Sequence, residues 1–168
     1  MAPELLVVES VLWSALWMIL VAIAVRRFPF SMEHDYPEDV RAVAKIKPPS
    51  RRQKRAGMLF AALSLLLTFA LLVYFGISGV GNAERGFLPV FVRVWVICMA
   101  WNVVDLLVVD WILVCTLSCK YFLLPGSEGY SGNKNYLFHF KGFLKGGVSM
   151  TIMAGIAAGV SYGIMSWV

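Results

Sequence analysis

The 168-residue chain has no charged side chain between Ala56 and Ala83 and no lysine or arginine before Arg26. A helix with no polar side cannot face water on any side, which excludes an ordinary soluble domain for these stretches. The cysteines are only Cys98, Cys115 and Cys119. All three fall in or beside one apolar run, so no disulfide scaffold is expected. The sequence contains no GxxxxGKS/T, HExxH, GxSxG or GxGxxG pattern. The usual signatures of phosphate loops, zinc proteases, serine hydrolases and dinucleotide sites are therefore missing. No residue pattern asks for haem, flavin or nucleotide, and no cofactor or metal is expected.

What the chain has in place of these features is apolar length. Hydrophobic residues make up 60% of it and the mean hydropathy is +0.74, against about 45–50% apolar residues in soluble domains. The length accommodates four spans of about 20 residues with short connections, and no separate globular domain. The net charge of +5 would point to nucleic acid if it were spread over a surface. Instead, nine of the 15 basic residues lie between Arg26 and Arg55, beside apolar spans, where membrane orientation explains them better. No nucleic-acid partner is expected.

Four spans are read from these runs: residues 5–25, 58–77, 90–117 and 147–168. The fold class is an all-α membrane protein, a single four-transmembrane-helix bundle with a short amphipathic helix in its first cytoplasmic loop. Residues 1–9 carry Glu4 and Glu9 and no Lys or Arg, while Arg26 and Arg27 follow the first span, the reverse of a signal peptide, so a retained helix is expected. Asp35, Tyr36, Pro37 and Glu38 read as a capping box opening a loop helix that runs to about Ile46, with Pro48 and Pro49 ending it. A turn around Gly79, Gly81, Asn82, Glu84 and Arg85 joins the second and third spans. The first loop carries nine basic residues and the third four, against Arg85 alone in the second. Loops 26–57 and 118–146 are thus expected on the cytoplasmic side of the plasma (inner) membrane and both termini outside. Arg51, Arg52, Lys54 and Arg55 cluster where anionic lipid headgroups would lie.

Ionisable residues at membrane depth cost a few kcal/mol each and call for a partner or a task. Glu9 and Arg93 lie at similar depth on the first and third spans, and an interhelical pair is the simplest expectation. Asn102 and Asp105 are three apart and lie on neighbouring faces, able to bond each other or one ligand. With α-helical periodicity Asp110 falls about 140° round from Asp105, which disfavours a shared-proton dyad. Phe138, His139, Phe140, Lys141 and Gly142 are read as lying just before the fourth span, where His139 can act as a base near Asp110. Cys115 and Cys119, four apart, share a helical face and with His139 make an incomplete zinc set. His34 between Glu33 and Asp35 carries an equally weak metal signal. Trp13 and Trp17 share a face and read as helix packing, Trp101 as core, and Trp111 as an interfacial belt residue.

The fourth span carries Gly155, Gly159 and Gly163 on one face beside Ala154 and Ala158, a doubled GxxxG motif that lets backbones approach closely. Packing within the chain is favoured slightly over packing against a second copy. Glu9, Arg93, Asn102 and Asp105 together favour a small, oligomeric transport or channel-like protein. Two alternatives stand beside it. One is an accessory membrane subunit that binds partner helices and anionic lipid. The other is a membrane-embedded enzyme acting on a lipophilic substrate at the cytoplasmic face through His139, Asp110 and Lys141.

Overall fold

The computed structural model describes residues 3–81 and 86–167. Asn82, Glu84 and Arg85 of the expected turn, and Val168 of the fourth span, lie outside these residues. Among the described residues the chain is helical, without strands. Helix α1 covers Pro3–Arg27, α2 Pro29–Met32, α3 Glu38–Val43, α4 Arg51–Ser78, α5 Phe87–Val104 and α6 Tyr136–Trp167. Single 3-10 turns lie at Glu33–Asp35 and Ser131–Lys134. Asp105–Thr116 continues α5 as a π-helix of 12 residues. Four stretches, Pro3–Arg27, Arg51–Ser78, Phe87–Thr116 and Tyr136–Trp167, are long and apolar enough to cross a membrane.

Their outward faces explain the composition. On α4, Leu59, Leu63 and Leu66 are 56–64% exposed, a continuous apolar face that water would penalise and acyl chains would not. Helix ends are set by polar side chains as well as by apolar length. Ser50 accepts the Gln53 N–H through Oγ at 3.2 Å, and Gln53 Oε1 accepts the Ser50 N–H at 2.9 Å. This reciprocal capping box starts α4 seven residues before the expected span and places Arg51, Arg52, Lys54 and Arg55, all exposed, on its first turns. Asn135 Oδ1 accepts the Phe138 N–H at 3.0 Å, so α6 starts at Tyr136 and carries the Phe138 to Gly142 motif inside the helix. At about 1.5 Å per residue its 32 residues reach about 48 Å, beyond a hydrocarbon core of about 30 Å.

The expected capping box at Asp35 does not form. Tyr36 and Pro37 are extended, Pro37 stands at the N-cap of α3 without a side-chain bond, and the helix closes at Val43. The Asp35 carboxylate turns to His34 Nε2, 3.3 Å away.

The chain divides into two compact units. The first comprises Met1–Trp17, Leu65–Val103 and Leu144–Val168. Its buried side chains include Trp13, Leu72, Val90, Val94, Ile97, Ala154, Ala157 and Ala158. Polar bonds join its helices: Trp13 Nε1 donates to Thr68 O at 3.1 Å, Ser161 Oγ to Val73 O at 3.1 Å, and Trp95 Nε1 to Thr151 Oγ1 at 3.0 Å. Gly76 permits the Ser161 contact, since a Cβ there would press on Ser161 and Val94. In lipid, such bonds and close approaches replace the hydrophobic drive as the source of helix association.

The glycine face of α6 is not part of that packing. A Cβ at Gly155, Gly159 or Gly163 would meet nothing within 4 Å among the described residues. The expectation of internal packing through the GxxxG motif is therefore corrected: Ala154, Ala157, Ala158 and Ser161 make the close face instead.

The second unit comprises Met18–Ser64 and Val104–Phe143. Val25, Tyr36, Val40 and Leu124 form its core, with Val21, Met32, Ala44 and Ile46 against them. Tyr36 OH donates to Phe122 O at 2.6 Å, and Lys45 N–H to Pro125 O at 2.7 Å. Gly126, at φ +86°, allows this approach, because a side chain there would be strained and would press on Lys45. Asn133, almost wholly buried, donates through Nδ2 to Ser127 O at 2.7 Å and accepts from Cys115 Sγ at its carbonyl, 3.3 Å away. These bonds tie the loop after the π-helix to the π-helix itself and to the segments on either side of α3.

Candidate functional site

Two polar constellations hold most of the expected residues. In the first unit, Arg93 is fully buried and its Nη2 donates to Glu9 Oε2, as the sequence led one to expect. Nε donates to Phe75 O at 3.1 Å. Gly79 leaves room for the guanidinium, which a Cβ would overlap. Carboxylate and backbone together compensate the cation, and the arrangement has the features of a docking pair. Trp17 stacks on buried Trp101 at 6.0 Å and meets Trp13 edge-on at 5.8 Å, so the tryptophans form a packed row. Asn102, also buried, lies against Gly146 and Gly147 of α6; a side chain at Gly146 would run into its amide oxygen.

In the second unit the π winding decides the geometry. An i→i+5 ladder takes about 4.4 residues per turn, which brings residues five apart to within about 50° of one another rather than the 140° of an α-helix. Asp105 and Asp110 therefore occupy nearly the same face. The expectation that sets them apart rests on α periodicity and is corrected by this winding. Asp110 and Cys115 are related in the same way, and Thr116 Oγ1 donates to Trp111 O, again five apart, at 2.7 Å. The helix then ends: Ser118 has φ +50°, and Cys119 N–H bonds to Leu113 O. Cys115 and Cys119 consequently share no helical face. Among the described residues no group of three or more His, Cys, Asp or Glu side chains is arranged to hold a metal ion.

The N-cap at Asn135 fixes the first turn of α6 and so places His139. His139 Nδ1 lies 3.0 Å from Asp110 Oδ1, with the two side chains 5% and 21% exposed. A neutral imidazole donating from Nδ1 presents Nε2 as an acceptor, the form of an oriented base. Nε2 is buried and has no hydrogen-bond partner among the described residues. Trp111 packs edge-on against Tyr136 at 5.8 Å. Lys141 is exposed, and among the described residues no ion pair joins it to Asp110.

No family model matches the chain, and comparison with curated proteins and with solved structures likewise finds no match. The chemistry follows from the site alone.

Asp35 and Tyr36, read from the sequence only as part of a helix cap, belong to this neighbourhood. Loss of water on packing holds the Asp35 carboxyl above the ordinary carboxylate range; His34 opposes this, Asp110 adds to it and His139 opposes it. Half of that side chain (51%) still meets solvent, so the shift carries little weight in stability. Burial, then the charges of Asp35, Asp110 and Asp105, push the Tyr36 phenol well above its usual value. It stays a hydrogen donor to Phe122 O throughout the physiological range. The assembled site is thus one buried imidazole in contact with Asp110, with Asp35 near that pair and Asp105 along the π-helix from Asp110. Asp110, His139 and Asp105 were already candidates in the sequence; Asp35 and Tyr36 were not.

Proposed function

We propose that this chain is a small integral membrane transport protein, a four-helix transmembrane bundle of the plasma membrane that moves protons through Asp110 and His139. Asp105 and Asp35 supply the surrounding negative charge. Both termini lie outside, with loops 26–57 and 118–146 cytoplasmic. The observation that carries the reading is the Asp110–His139 contact, with a buried Nε2 open to a further partner. An imidazole held by one carboxylate can accept a proton at Nε2 and pass one on by exchange with a neighbouring group. Glu9 and Arg93 take the structural role in this scheme, because each already compensates the charge of the other.

The same contact suits an enzyme acting on a lipophilic substrate at the cytoplasmic face, with His139 as general base. The transport reading stands ahead of it because the carboxylates of Asp35 and Asp105 lie near this contact and give a proton further groups to exchange with. An accessory role, with partner helices or a second copy on the open glycine face and anionic lipid at Arg51 to Arg55, is compatible with either activity.

The test uses the full chain in liposomes loaded with a pH-sensitive dye. A potassium diffusion potential set by valinomycin drives proton entry. Acidification faster than in protein-free liposomes, lost in Asp110→Asn and His139→Gln but kept in Lys141→Gln, is the expected result. Rates equal to those of empty liposomes would remove proton movement from the function.

A further inference from the structure

The charge around the π-helix is unbalanced. Asp105 is acted on by Asp110 and Asp35, both of its own sign. Asp110 meets one imidazole, and among the described residues no lysine or arginine makes an ion pair with any of these carboxylates. The other ionisable groups facing them are His34 and Tyr36 from the turn after α2, and Cys115 from the π-helix itself. His139, from α6, is nine-tenths buried and spends its Nδ1 on Asp110, leaving Nε2 without a partner.

Two carboxylates held on one helical face in a medium of low dielectric constant repel each other if both ionise. A neutral imidazole beside one of them donates a hydrogen bond to it and brings no positive charge. The ligand chemistry that fits two like charges on one face is a single proton; among the described residues no side chains are arranged as a metal site. We infer that Asp105 and Asp110 hold one proton between them, and that the π winding of Asp105–Thr116 creates this pair by lining up residues five apart. With α winding the same two residues would face different ways and titrate independently.

This inference rests on the proton-handling reading and narrows it to two groups. A proton arriving at His139 Nε2 has Asp110 on the other side of the ring, and Asp105 next along the helix face. In the loaded state one carboxylic acid and one carboxylate share the face. On release both are ionised, and repulsion opposes the state, which sets the direction of return.

The experiment is an infrared titration of the full-length protein in lipid vesicles, following the carbonyl band of the protonated carboxylic acid against pH. Wild type is expected to show one such titration whose midpoint falls by about one pH unit or more in both Asp105→Asn and Asp110→Asn, since each substitution removes the repelling partner. Midpoints unchanged in both variants would overturn the pair. Thermal unfolding of the same samples is a second readout: wild type should lose stability as pH rises from the unfolded carboxylate value of about 4 to the midpoint, and the Asn variants should lose less, over a narrower pH range. An equal pH dependence in all three proteins would also overturn it. If the infrared shift appears but dye-loaded liposomes acidify no faster than empty ones, the pair stands and the transport reading falls. Proton flux with unshifted midpoints overturns the pair and leaves the transport reading in place.

Discussion

Arg93 has no exposed surface, and its worth is measured by what remains when its partner is removed. Glu9→Gln leaves a buried guanidinium with a backbone carbonyl and no countercharge. A loss of about 3–5 kcal/mol is expected in detergent unfolding, with the Glu9→Gln, Arg93→Met double variant less destabilised than the sum of the single changes. Full additivity in that cycle would show that the two groups do not act together. Tyr36 gives a test by pH. Its phenol is raised above the unfolded value of about 10, so its stabilisation is complete below that pH and declines as pH rises toward the higher folded value. Tyr36→Phe should lose about 1 kcal/mol through the missing bond to Phe122 O and should show none of the alkaline decline. A decline of equal slope in the variant would place its origin elsewhere.

The elements show where the sequence was informative and where it was not. Four long helices were legible because apolar run length is a direct consequence of bilayer thickness. Their beginnings were less so: Arg51 and His139 sit in first turns that a hydropathy reading assigns to loops, since a helix leaving lipid need not stop being a helix. Ser50 and Gln53 marked one such beginning, and Ser50→Ala should cost about 0.5–2 kcal/mol. Glu9 and Arg93 were legible as a pair because opposite charges at one depth have few other options. The pairing of Asp105 with Asp110 was not, because every angular argument from sequence assumes 3.6 residues per turn and nothing in DLLVVDWILVCT announces another winding. The α6 glycines are a further case. Spacing identifies a small-residue face but does not say what covers it, and here nothing within the described chain does. Gly159→Ala should therefore leave thermal stability nearly unchanged, whereas Ala157→Leu, on the closed face, should lose about 1–3 kcal/mol. Equal losses would mean that the glycine face is also covered.

For the molecule as a whole, orientation is the quantity most open to direct measurement. In a cysteine-free background an impermeant maleimide should reach Ser166→Cys from outside intact cells. Lys47→Cys should react only after permeabilisation, both positions being exposed. The reverse pattern would invert the proposed topology and put the Asp110–His139 pair on the opposite side. One further consequence follows from Trp111, which comes directly after Asp110 in the chain and meets Tyr136 edge-on. On the proposed function, Asp110 gains and loses charge, and the emission of the indole that follows it is expected to change with each step, a change that Trp111→Phe should remove. The protein thus carries its own optical probe, and stopped-flow fluorescence after a pH jump can time the event at the site without any dye or label.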